Sequence, residues 1–96
     1  MEIAVVTGTV VATRKDAKLE GEKLLLVRRA DVSGSPVGEH YVALDSVDAG
    51  IGDVVLVVRG SSAREASSYA GRPVDSVITG IIDSIDLENT TTYKKA

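Results

Sequence analysis

Asp53-Val54-Val55-Leu56-Val57-Val58-Arg59-Gly60-Ser61-Ser62-Ala63-Arg64 is the stretch on which the reading of the fold turns. Its unbroken Val/Leu run, bounded by charges, is the pattern of a β-strand apolar on both faces, because alternate side chains point opposite ways. The run is too short for a helix. Gly60 breaks it, and Ser62-Ala63-Arg64-Glu65 has the Ser-x-x-Glu spacing of a helix capping box. A core strand thus ends in a tight turn and a short helix begins, reaching to about Ser68 and stopped by Gly71 and Pro73. What covers the strand's second face is the question that governs the rest.

Upstream, Glu2 to Thr13 is apolar on both faces as well, with Ile3, Val5 and Val11 on one side and Ala4, Val6, Val10 and Ala12 on the other. Gly8 in its middle predicts a bulge or a bend at a barrel corner. A charged loop follows from Arg14 to Glu22, with Leu19 as its anchor to the barrel. Lys23 to Ala30 forms the second strand, and Asp31 to Glu39 a turn-rich connection. His40 to Val47 is the third strand. Downstream, Val74 to Leu87 is the fifth, with Gly80 placed as Gly8 is in the first. Glu88 to Ala96 is a polar tail without periodicity, expected to be loose or to order only on a partner. Residues 1–87 form one barrel domain and residues 88–96 the tail.

Five strands and one short α-helix between the fourth and fifth make an all-β protein, a small closed or nearly closed barrel. Closure covers one face of every strand and leaves the outside bare. No crossover is long enough to hide the second face under helices. At about 25 cal/mol per Å², a few hundred Å² of exposed aliphatic surface is worth several kcal/mol per subunit. The expectation is an obligate homo-oligomer in which copies shield one another, with the outward-facing member of Val55 and Val57 in the contact.

Composition excludes several classes. With no cysteine there is neither a disulfide framework nor a thiolate metal site. A net charge of −3 and only three aromatic residues argue against nucleic acid as a partner. The N-terminus lacks the pattern of a secretory signal, and no apolar segment approaches the roughly 20 residues that cross a bilayer, so the expected address is cytoplasmic, with no membrane partner. His40 is the sole histidine and reads as a strand-start residue. Asp45, Asp83 and Asp86 sit near strand ends, where carboxylates cap turns; nothing pairs two of them with a nucleophile. Asp75 is placed to pair with Arg64 or Arg72 across a subunit boundary. Gly60-Ser61-Ser62 lacks the lysine of a phosphate loop. The expectation is therefore no catalytic residue, no metal, no cofactor and no enzyme. The sequon Asn89-Thr90-Thr91 carries no weight without a secretion signal.

The opening Ile3-Ala4-Val5-Val6-Thr7-Gly8-Thr9-Val10-Val11-Ala12-Thr13, the strand Lys23-Leu24-Leu25-Leu26-Val27, and Ala43-Leu44-Asp45-Ser46-Val47-Asp48-Ala49-Gly50-Ile51-Gly52 share an order with two later segments. Those are Gly60-Ser61-Ser62-Ala63-Arg64, then Pro73-Val74-Asp75 followed by Gly80-Ile81-Ile82-Asp83. Together, from Met1 to about Asp86, they resemble the EutN/CcmL family of bacterial microcompartment vertex proteins. The resemblance implies an OB-like five-stranded barrel assembling into homopentamers that close the fivefold corners of a polyhedral shell, beside hexameric and trimeric shell proteins. It places Gly60, Ser61, Ser62, Ala63 and Arg64 in a close-packed loop against a neighbouring subunit. The competing reading is an OB-type binding module for an oligonucleotide or a protein partner.

Overall fold

A computed structural model of the chain describes residues 1–13, 17–60 and 75–96. Among these, the strands are β1 (Glu2–Val10), β2 (Leu24–Ala30), β3 (Pro36–Asp45), β4 (Val54–Arg59), β5 (Ser76–Ile81), β6 (Ser84–Leu87) and β7 (Thr90–Lys94), with one 3-10 turn at Ala17–Leu19. The first five close into a barrel in the order β1-β2-β3-β5-β4, and β4 pairs back onto β1. Only the β3–β5 contact is parallel, through Leu44 opposite Val77 and Asp45 opposite Ile78. The short helix expected from Ser62 onward lies outside the described residues.

Register explains how so few strands close. Following paired residues round the wall from Val10 leads through Leu24, Leu44, Val77 and Val58. It returns to β1 at the other end, where Glu2 faces Val57. The strands are therefore steeply tilted, as closing a small barrel requires. Both glycines expected at corners sit beside bulges. The β1–β2 register shifts between Val6 and Gly8, and the extra residue, Thr7, donates its hydroxyl to the Leu26 carbonyl at 3.2 Å. The β4–β5 register shifts where Leu56 faces Gly80 and Val57 faces Ile78.

Ala4 and Val6 of β1, Leu25 and Val27 of β2, Ala43 of β3, Val55 and Val57 of β4 and Ile78 of β5 fill the interior, with Tyr41, Val47 and Ile81 packed against them. A second, smaller cluster lies around Leu44 and Val77, with Leu24, Val58 and Leu19 packed on it. Leu19 thus anchors the charged loop, as its sequence position suggests.

The outer face of β4 is covered unevenly by the chain itself. Val58 joins the Leu19 cluster. Val54 is buried, and Gly34 lies so close to it and to Tyr93 that a Cβ there would meet the ring at 2.6 Å and the valine at 3.2 Å. Between them Leu56 stays partly exposed.

Two boundaries differ from the expectation. β3 begins at Pro36, so part of the turn-rich connection is strand; the turn itself is held by Asp31, which accepts from the Ser33 amide, the Ser33 hydroxyl and the Ser35 amide. The tail is not loose. β6 and β7 form a hairpin whose turn residues Glu88 and Asn89 both have positive φ, 51° and 68°, as a tight two-residue hairpin turn requires. This hairpin docks on the same chain: Thr92 donates to the Val32 carbonyl, the Lys95 amide to the Asp83 carbonyl at 2.8 Å, and the Lys95 ammonium lies 3.8 Å from Asp53. The predicted fifth strand is accordingly two strands, β5 closing the barrel and β6 starting the hairpin.

Candidate subunit interface

Strand parity corrects one expectation about β4. Val55 and Val57 are two residues apart, so both point the same way, and that way is inward: each is fully buried in the barrel of a single chain. Neither has surface left for a neighbour. The outward residue between them is Leu56, opposite Ile3 of β1.

The two bulge glycines shape this outer wall. A Cβ on Gly80 would lie 3.6 Å from Leu56, and one on Gly8 would lie 3.7 Å from Leu26. Neither glycine has a positive φ, so neither is needed for backbone conformation. Their effect is to leave the flanks of two outward leucines uncovered. Leu26 is paired across to Val42, which is 44% exposed. Two aliphatic rows result, Val42–Leu26–Gly8 and Ile3–Leu56–Gly80, each ending on a residue without a side chain.

Gly60 has φ +72° with nothing within reach of a Cβ, so here glycine serves the left-handed turn. Its amide donates to the Asp75 carbonyl at 2.7 Å, joining the two residues that flank positions 61–74. Asp75 is exposed beside that tie. Ser61, Ser62, Ala63 and Arg64 lie outside the described residues, as do the expected pairings of Asp75 with Arg64 or Arg72.

At the same end of the wall lies a charged cleft that the sequence reading passed over, lined by Glu2, Arg28, Arg29, Val37, Gly38, Glu39, His40, Tyr41 and Arg59. The Tyr41 hydroxyl donates to Glu2, the Arg59 guanidinium stacks 4.1 Å above the Tyr41 ring, and Arg59 also lies 3.7 Å from the Glu2 carboxylate. Burial, then the bond to Glu2, push the Tyr41 phenol well above its ordinary range, so it remains a donor. Arg28 Nε donates to the Gly38 carbonyl at 2.7 Å. The adjacent pair Arg28-Arg29 at the end of an apolar strand was the available signal.

Asp45 takes the capping role expected of it. Its buried carboxylate accepts from the Val47 amide at 3.1 Å and the Ala49 amide at 2.8 Å, and Lys23 lies 3.2 Å away. Lys23 also donates to Asp48 and to the Ala49 carbonyl, and these acidic partners, Asp48 first and then Asp45, raise its pKa. Among the described residues no three His, Cys, Asp or Glu side chains converge as a metal site, and no helix is long and apolar enough to cross a membrane.

Residues 1–83 match the family described as ethanolamine utilisation protein EutN/carboxysome. The carboxysome shell vertex protein CcmL of Synechocystis sp. is 44% identical over 95 residues, covering 99% of this chain and 95% of that protein. The structure of CcmL from Gloeobacter violaceus superposes with a TM-score of 0.92 at 42% identity, covering 99% of this chain and 98% of that one. The GrpN pentameric microcompartment shell protein from Rhodospirillum rubrum superposes with a TM-score of 0.80 at 40% identity, over 91% of this chain and 99% of that one.

Proposed function

The chain belongs to the EutN/carboxysome family, and on that premise we propose that it is a structural shell component which forms homopentamers and caps the fivefold vertices of a bacterial microcompartment. The observation that carries this reading is the outer wall of the barrel, where bulge glycines strip the cover from Leu26 and Leu56. A ring of five has no internal twofold, so its contacts join two unlike patches of the same chain. The aliphatic rows supply one patch, and the charged cleft, which reaches Arg59 next to Gly60, is the other candidate. The role is one of shape and contact rather than catalysis. Flat shell layers of hexameric and trimeric proteins are the partners such a ring would join; neither nucleic acid nor membrane enters the reading. The shell-vertex names of the relatives favour it over an OB-type binding module.

Native mass spectrometry of the purified chain tests the ring directly, with a mass of five subunits expected. Co-expression with hexameric shell proteins tests the vertex role, with closed particles expected only when this chain is present. A stable monomer at micromolar concentration would overturn the proposal.

A further inference from the structure

The charged cleft is made by a distortion of the β2–β3 ladder. Arg28 faces His40 and Ala30 faces Pro36, so the single residue Arg29 stands opposite residues 37–39. In a flat ladder consecutive side chains would alternate between faces. Here consecutive residues from Val37 to Tyr41, together with Arg28 and Arg29, line one cleft. Gly38 permits it, since a Cβ there would stand 2.9 Å from the Arg29 Cβ. Bulges re-aim side chains and are over-represented at sheet edges, barrel rims and functional sites.

What they gather is positive charge. Arg28, Arg29, Arg59 and the only histidine stand against Glu2 and Glu39. Glu2 is already engaged by Tyr41 and Arg59. Arg29 and His40 are exposed, and their side chains make no hydrogen bond or ion pair among the described residues. The chain has 11 basic and 14 acidic residues, so the cleft leaves 8 against 12 elsewhere. A locally cationic cleft on an otherwise acidic subunit is complementary to the remainder of that same subunit.

We propose that the Arg28–Arg29–His40–Arg59 cleft receives carboxylate side chains of the adjoining copy in the ring, so that closure is steered by charge as well as by aliphatic contact. This rests on the ring reading and deepens it. Three observations favour a second copy as the occupant. The cleft reaches Arg59, next to Gly60 and its bond to Asp75; the family resemblance implies Gly60 for the subunit contact. It is broad and open, suited to a protein segment. Head-to-tail closure needs two unlike patches, and opposite charge both provides them and suppresses like-to-like pairing.

The experiment is native mass spectrometry and sedimentation of the full chain across about 50 to about 500 mM salt, a range over which exposed charge pairs are progressively screened. The wild-type ring is expected to dissociate at lower concentration of salt than a purely apolar assembly would, with its dissociation constant rising about tenfold or more across the range. Arg29→Glu should weaken the ring by about tenfold or more at low salt and flatten the salt dependence, with Arg29→Gln intermediate. Far-UV circular dichroism confirms folding, and His40→Glu replaces Arg29→Glu should the latter fail to fold. An Arg29→Glu ring with unchanged dissociation constant and salt slope overturns the proposal. So does inorganic phosphate shifting the Arg29 and His40 resonances in the assembled ring, since that leaves the cleft open to solvent. A wild-type chain that forms no ring refutes the ring reading itself, a distinct result.

Discussion

Leu56 and Val57 are neighbours on β4 with opposite assignments, and replacing each by Asp separates folding from assembly. Val57 is fully buried among Ala4, Val6, Leu25 and Ile78. Removing its side chain forfeits about 1.5–3 kcal/mol of apolar transfer. Placing an unpaired carboxylate in the same space costs several kcal/mol more. Against a total stability of about 5–15 kcal/mol for a domain of this kind, Val57→Asp should leave little folded protein. Leu56 points outward and stays partly exposed, so an Asp there remains hydrated and should cost the barrel about 1 kcal/mol or less. In the proposed ring, where the Ile3–Leu56–Gly80 row forms part of the contact, the same carboxylate would be desolvated in every copy. Leu56→Asp should therefore retain the β signal in circular dichroism and lose the fivefold mass in native mass spectrometry. A Leu56→Asp chain that still forms the complete ring would remove the Ile3–Leu56–Gly80 row from the interface. A folded Val57→Asp chain would contradict the interior described for β4.

Three further outcomes follow from local geometry. Asp45→Ala strips the Val47 and Ala49 amides of their acceptor; at about 1.5–3 kcal/mol for each bond to a charged group, a loss of about 3 kcal/mol or more and a fall in Tm of about 10–20 °C are expected at fixed protein concentration, with Asp45→Asn milder. Gly34→Ala places a methyl 2.6 Å from the Tyr93 ring at φ +83°, so the hairpin should loosen by about 1–3 kcal/mol, read as faster amide exchange along β7. The Asp31 carboxyl is held below its ordinary value of 3.8 by the Ser33 hydroxyl, then by the Ser33 and Ser35 amides. Its contribution to the 31–35 turn is complete above that ordinary value and is lost as pH falls through the lowered one. The Ser33 and Ser35 amide resonances should titrate in that acid range and stop doing so in Asp31→Asn.

The doubly apolar strands, the glycine corners and the closed barrel were legible because they depend on patterns within single segments. Gly8 and Gly80 stood out against β-branched neighbours, and both mark bulges. Side-chain parity along β4 was equally available, since residues two apart must share a face; it puts Val55 and Val57 together, and their burial makes that face the inner one. The hairpin was hidden by its turn. Glu88-Asn89 is not the Asn-Gly or Asp-Gly pair that signals a tight hairpin, and Glu88 adopts its positive φ without the usual residue type. The run Thr90-Thr91-Thr92-Tyr93 was the surviving strand signal. The cleft could not be read from spacing, because Glu2, Tyr41 and Arg59 meet only when β1, β3 and β4 converge. Nor could the self-covering of β4, which brings Leu19, Gly34 and Tyr93 from three distant segments onto one strand.

The bond from the Gly60 amide to the Asp75 carbonyl has a bearing on how such subunits diversify. It fixes the spacing of the two residues, Gly60 and Asp75, at which the chain leaves and rejoins the barrel. For a flexible connection between ends held in this way, each doubling of length costs only about 0.6 kcal/mol. Changes of length between Gly60 and Asp75 are thus expected to be thermodynamically mild, so a lineage or a designer can vary that connection while the pair of ends stays fixed.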